Sequence, residues 1–224
     1  MIPRELLATA HVPGGGDPLR LIRRGTEYSI MLGANELMNS RLSGSEEAMS
    51  RLAQACIAGV AAPRVLIGGL GMGFTLRAGL EAFGPKASID VAELVPEIVD
   101  WARGPMAHLH AGTLDDPRVT ICVTDVGQLI RAEPARYDAI LLDVDNGPDG
   151  LSREGNDALY TASGLNQARA ALRPGGVLVV WSSGPDARFT ARLRKAGFAV
   201  REEIVRARTT GGGARHTIWL AVRD

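Results

Sequence analysis

A surplus of charge of either sign is missing from this 224-residue chain: Lys and Arg total 25, and so do Asp and Glu. A protein built to grip nucleic acid or an anionic membrane needs a positive excess, so neither is expected as a partner. Cysteine is scarce as well. Its two copies, Cys56 and Cys122, sit in apolar surroundings without metal-ligand spacing and read as small core residues of a reducing compartment. Histidine offers no metal site: His108 and His110 lie near a helix end without ligand company, and His11 and His216 are isolated. No metal is expected. No apolar run approaches the ~18 residues of a membrane span, and residues 1–10 carry charges where a signal peptide would be apolar. These absences lead to the expectation of a cytoplasmic protein.

What is present is ordinary globular chemistry, 46% apolar and 22% charged, with glycine clustered rather than periodic. Gly14-Gly15-Gly16 and Gly211-Gly212-Gly213 read as connections. The first 42 residues show helical periodicity only in a short opening turn, and 19–23 and 28–32 read as strands of a hairpin around Gly25. This predicts a short N-terminal extension, β with some helix, over 1–42, and an α/β domain over 43–224. A capping box, Ser43 with Glu46, opens a helix whose apolar face carries Met49, Leu52, Ala53, Cys56 and Ile57. From Arg64 onward, apolar strands at 65–67, 88–92, 119–123, 139–142 and 177–181 alternate with helices. A long loop follows residue 142, and a helix is expected at 165–172. Strands at 198–205 and 216–222, joined by the second glycine cluster, should be antiparallel.

Short continuous apolar strands alternating with helices are what a parallel sheet covered on both faces requires. Right-handed crossovers then wind it to both sides. The expected fold is α/β, a doubly wound, mostly parallel, seven-stranded sheet closed by an antiparallel C-terminal hairpin.

Ligands of such sheets bind beyond the carboxyl ends of the strands. After the first strand stands Gly68-Gly69-Leu70-Gly71-Met72-Gly73. The dinucleotide pattern GxGxxG fails, because its sixth position, counted from Gly69, is Phe74. The phosphate-binding P-loop fails too, since no Gly-Lys-Ser/Thr follows. Gly69-x-Gly71-x-Gly73 suits a nucleoside without a diphosphate, although it would equally serve as a tight turn. Three acids add to it. Glu93 falls just past the second strand, where a carboxylate can accept both ribose hydroxyls. Asp125 falls just past the third, placed for an adenine amino group, and Asp143 ends the fourth. Each could instead be a surface carboxylate, and Asp125 could cap the helix after it.

These residues resemble the spermidine synthase (aminopropyltransferase) family, which shares the Rossmann-like fold of S-adenosylmethionine-dependent methyltransferases. The likeness runs over about residues 64–185. It is carried by Val65-Leu66-Ile67-Gly68-Gly69, Val91-Ala92-Glu93-Leu94-Val95-Pro96-Glu97, Thr124-Asp125, Tyr137-Asp138-Ala139-Ile140-Leu141-Leu142-Asp143 and Leu172-Arg173-Pro174-Gly175-Gly176. Upstream, Leu37-Met38-Asn39-Ser40 is similar to the family's connector from its small β-domain. The resemblance implies a transferase that uses decarboxylated S-adenosylmethionine, or S-adenosylmethionine itself, as co-substrate. It places Glu93 at the ribose, Asp125 at the adenine and Asp143 at the reaction centre. Leu70 and Met72 stand where the family's glycine loop carries an aspartate, and Asp145 comes one position before the family's second acid, leaving Asn146 in its place.

An amine nucleophile reaches such a site protonated, with a pKa near ~10. A carboxylate can attract it and then take or relay its proton. Asp143 is the candidate, with Asp145 and Asp149 as electrostatic partners; the run from Asp145 to Gly150 also reads as a turn-rich loop. Aminopropyl transfer to a small amine is the expected function. Methyl transfer to another acceptor, or nucleoside binding without catalysis, are the alternatives, and a homodimer is left open. Trp101, Trp181 and Trp219 read as core or rim aromatics, with Trp181 at a strand end where it could flank a substrate. Arg188, Arg192, Arg194 and Lys195 read as a solvated helix face.

Overall fold

The computed structural model describes residues 2–144, 154–208 and 213–224. Four strands open the chain, β1 (Glu5–Ala10), β2 (Leu19–Arg24), β3 (Glu27–Leu32) and β4 (Asn35–Asn39), and they form an antiparallel sheet in sequence order. Where a helical turn was expected at the start, the chain runs as β1. Its pairing with β2 shifts register between Leu6 and Ala8, and such a bulge breaks the period-two pattern by which a strand is read from sequence.

Helix α1 (Gly44–Cys56) follows. Its capping box does not form: the Ser43 side chain accepts no amide, and the Gly44 N–H donates to the carbonyl of Ala207 instead. Next come β5 (Arg64–Gly68), α2 (Phe74–Ala82), β6 (Ser88–Glu93), α3 (Pro96–Arg103), the short α4 (Ala107–His110), β7 (Val119–Val123), α5 (Val126–Ala132) and β8 (Tyr137–Leu142). The long loop expected after β8 contains a helix, α6 (Glu154–Tyr160). Then α7 (Ala162–Ala171) begins earlier than periodicity alone suggests, because the Thr161 hydroxyl caps the Gly164 N–H at 3.1 Å. The chain ends with β9 (Leu172–Ser182), α8 (Ala187–Lys195), β10 (Phe198–Arg206) and β11 (Arg215–Arg223).

The large sheet has the order β10-β11-β9-β8-β5-β6-β7. Strands β9, β8, β5, β6 and β7 pair in parallel, and β11 is antiparallel to both β9 and β10. This is the seven-stranded sheet that the strand pattern predicts. Alternate residues of each central strand feed opposite faces. Val65, Ile67, Ala139 and Leu141 pack under α1, α2 and the small sheet, while Leu66, Ile140 and Leu142 meet α5, α7 and α8. All six residues of β8 are buried, each large aliphatic side chain contributing roughly 1.5–3 kcal/mol. At the start of β8, Asp138 accepts the Arg64 N–H at 2.7 Å and pairs with Arg173 at 2.8 Å. This carboxylate therefore ties strands together at the end away from the site. From β5 the chain steps outward to β6 and β7 and then returns to β8 on the other side of β5. That reversal opens a crevice above the carboxyl ends of β5 and β8.

Candidate active site

A cavity of about 230 Å³ occupies this crevice, lined by the glycine loop after β5, the ends of β6 to β8 and residues of the small sheet. The loop is held open by its own backbone. Gly69 has a φ of +90° and Gly73 one of +76°, conformations that side chains oppose. A Cβ at Gly69 would strike the carbonyl oxygen of Asp143, and one at Gly73 would run into the His110 ring. The loop therefore offers bare peptide to the cavity. Opposite it the small sheet supplies Met38, whose sulfur lies against Gly71.

Glu93 ends β6 and is 6% exposed. Its Oε2 accepts the Leu70 N–H at 3.0 Å and its Oε1 the Val95 N–H at 2.9 Å. Burial pushes its carboxyl above the usual carboxylate range, against the pull of these amides. The amides of Gly71 and Leu94 bear on the same carboxylate, which is therefore held by the loop and by the turn after β6. Asp125 occupies the N-cap position of α5 but makes no cap hydrogen bond; its half-buried side chain lines the cavity instead. The helix-cap alternative for Asp125 is thus not realised.

Asp143 lies immediately after β8, and its Oδ2 accepts the Thr75 hydroxyl at 2.6 Å. Burial lifts its carboxyl to about 6, with the Thr75 hydrogen bond acting in the opposite direction. Asp145 and Asp149 lie outside the described residues. A second acid that sequence reasoning assigned to a helix cap, Glu46, lines the same cavity. Burial first, and the charge of Asp143 second, push its carboxyl up to about 7. Two acids in succession, Glu46 and Glu47, stand at the start of α1. Only one is needed to favour a helix N-terminus, and that was the available signal for a second role.

The structure thus brings Gly69, Gly71, Gly73, Glu93, Asp125, Asp143 and Trp181 around one cavity and adds Glu46 and Met38, with Thr75 bonded to Asp143. Gly68 stands just outside it as the last residue of β5. The other tryptophans are buried, Trp219 donating its indole N–H to Thr190 at 2.9 Å. His110 is buried with neither ring nitrogen hydrogen-bonded; burial, then Arg77 and His108, hold its pKa down to about 4, so it is a neutral packing group behind Gly73. Arg192 reaches the carbonyl of Tyr160 and stacks over Phe189, so the basic face of α8 is only partly solvated. Among the described residues no group of three or more His, Cys, Asp or Glu could hold a metal, and no helix is long and apolar enough to cross a membrane.

Residues 46–188 match the family model described as the spermine/spermidine synthase domain. A polyamine aminopropyltransferase of Mycobacterium tuberculosis is 33% identical over 158 residues, covering 66% of this chain and 29% of that protein. Polyamine aminopropyltransferase 2 of Pseudomonas aeruginosa is 35% identical over 120 residues, covering 52% of this chain and 32% of its own length. The chain therefore spans less than a third of each of these two curated relatives. In fold, it superimposes on the spermidine synthase of Thermotoga maritima with a TM-score of 0.75 and 18% identity, covering 98% of this chain and 73% of that one. A spermidine synthase in complex with the transition-state analogue AdoDATO matches equally well, with a TM-score of 0.75 at 17% identity.

Proposed function

The chain belongs to the spermine/spermidine synthase family, and from that premise we propose that it transfers an aminopropyl group from decarboxylated S-adenosylmethionine to a small amine. The observation that carries the reading is the division of the cavity. One part presents bare loop peptide with Glu93 and Asp125; another presents Asp143, held by Thr75, together with Glu46. The first suits an uncharged nucleoside, the second a cation.

The co-substrate would lie across Gly69 and Gly71, where a side chain could not fit. Glu93 would accept from the ribose hydroxyls, and Asp125 would accept from the adenine amino group. When bound, the sulfonium supplies an electrophilic carbon and a neutral thioether leaving group. The protein's task is then to align the amine and discharge it. Asp143 attracts the ammonium and takes one proton from it, and burial, which raises its carboxyl, makes it a stronger base for that step. Methyl transfer from S-adenosylmethionine is the second reading, favoured by Leu70 and Met72, buried residues where the family's loop carries an acid. The acidic pair opposes it, because S-adenosylmethionine would bring a further carboxylate into the same cavity. The small sheet before residue 43 then serves as a wall of this site.

Calorimetry with methylthioadenosine, followed by turnover with each sulfonium co-substrate and an alkyl diamine, tests the proposal. Binding that Glu93→Ala abolishes, with methylthioadenosine as the released product, supports it. Release of S-adenosylhomocysteine would establish methyl transfer instead, and no binding at all would refute both.

A further inference from the structure

An amine that enters as an ammonium leaves one proton behind in each turnover. While two substrates fill the cavity, its mouth is no route for that proton. A hydrogen-bonded chain leads away from the same cavity through the protein. Ser45 Oγ donates to Glu46 Oε2 at 2.7 Å, and His216 Nδ1 lies 2.9 Å from the same Ser45 oxygen. Ser45 is fully buried and has a single hydroxyl hydrogen, so its donation to Glu46 makes it the acceptor of the His216 Nδ1–H. His216 is half-buried on β11 beside exposed Arg215, and its ring stands edge-on to Trp181 of the cavity wall, with centroids 4.7 Å apart.

Building on the transferase reading above, we infer that Glu46, Ser45 and His216 form the exit for the acceptor's proton, with Glu46 as a second catalytic carboxylate and Ser45 and His216 as positioning residues that act through it. The ammonium first gives one proton to Asp143, which passes it to Glu46. The freed amine bonds to the sulfonium's carbon as the carbon–sulfur bond breaks, both electrons of that bond remaining on sulfur. The products are a secondary ammonium and a neutral thioether, so one positive charge has left as a proton. Once Glu46 is protonated, the Ser45 hydroxyl rotates toward His216 and tautomer exchange moves the ring proton to Nε2, which frees Nδ1. Glu46 then hands its proton to Ser45 Oγ as Ser45 gives its own to His216 Nδ1, and the imidazolium releases its Nε2 proton to water, which restores the starting chain.

The surroundings suit the two ends of the relay. Burial and the charge of Asp143 raise the Glu46 carboxyl, so it takes up a proton readily, and burial lowers the pKa of His216, so an imidazolium formed there passes its proton on to water. The ionisable groups facing Glu46 are Asp143 from β8, Glu47 on its own helix and, through Ser45, His216 from β11. Glu47 is itself held by Arg51 and by Arg77 of α2, each at 3.5 Å. Strand β9 presents Trp181, and Arg201 of β10 bears on Cys56 at the far end of α1.

Kinetics of the full chain with decarboxylated co-substrate and diaminobutane test the exit. Ser45→Ala and His216→Gln should each lower kcat about tenfold near neutral pH, with KM and methylthioadenosine affinity unchanged, and added imidazole should restore His216→Gly. Wild-type kcat in the first two, or a loss that imidazole leaves untouched, overturns the inference. A second readout needs no turnover. Difference infrared titration of wild type against Glu46→Gln locates the Glu46 carboxyl, and Ser45→Ala should move its midpoint upward, since the Ser45 hydroxyl favours the ionised form. An unmoved midpoint also overturns the inference. A wild type that binds methylthioadenosine but transfers nothing refutes the transferase reading alone, and the infrared result still judges the chain.

Discussion

Replacing Glu46 by glutamine removes an ionisation that the fold opposes while keeping an oxygen for the Ser45 hydroxyl. Burial and the neighbouring Asp143 raise this carboxyl from 4.5 to about 7. A folded-state pKa above the unfolded one means that the favourable contribution exists below about 4.5 and is lost as pH rises through about 7. The ionised form thus weighs against the folded state at alkaline pH. At about 1.4 kcal/mol per pH unit, the full difference amounts to about 3 kcal/mol, and about a quarter of it remains near pH 5, where the folded protein keeps the acid protonated. Urea denaturation of the ligand-free protein at both pH values is the assay. Glu46→Gln should exceed wild type by about 1 kcal/mol near pH 5 and by about 2–3 kcal/mol near pH 8. Equal stabilities near pH 8, or a variant weaker than wild type there, would refute the burial and repulsion assigned to Glu46.

Thr75→Val removes the hydroxyl that favours ionised Asp143, so the acidic limb of the kcat/KM profile should move to higher pH. The lost hydrogen bond corresponds to about 1–2 kcal/mol, read from the pH dependence of initial rates. Asp125→Ala should weaken methylthioadenosine binding at least tenfold, the scale of one hydrogen bond to a charged group at about 1.5–3 kcal/mol, with no change in Tm because no helix cap is lost. Gly73→Ala forces a methyl group into the His110 ring at a left-handed φ of +76°. It should lower stability by at least about 1–3 kcal/mol, measured by urea denaturation.

The sheet was legible because β5, β8 and β9 carry continuous apolar runs between glycines and helical periods, which leaves a short strand little alternative. The positions of Glu93, Asp125 and Asp143 followed, since each is the residue at a strand's carboxyl end, and topology alone brings such ends together. Glu46 was hidden by a local pattern that it satisfied on paper. Ser43 with Glu46 reads as a capping box, yet the Ala207 carbonyl takes the Gly44 amide and Ser45 takes the carboxylate. Both partners come from tertiary packing or from an adjacent hydroxyl, which spacing does not encode. The same holds for β1, whose bulge spoils its alternation, and for Thr75 and Met38, whose roles depend on which loop lies opposite.

Glu93 and Asp125 flank one cavity but differ in what else rests on them. The Glu93 carboxylate already braces the amides of Leu70 and Val95 and so shapes the loop it is proposed to complement. Change there alters architecture and affinity together. Asp125 makes no cap hydrogen bond, so its side chain is not part of that brace. An effort to retune this protein toward another nucleobase should therefore begin at Asp125, where selectivity can be varied without rebuilding the scaffold, and should leave Glu93 untouched as an element of the fold itself.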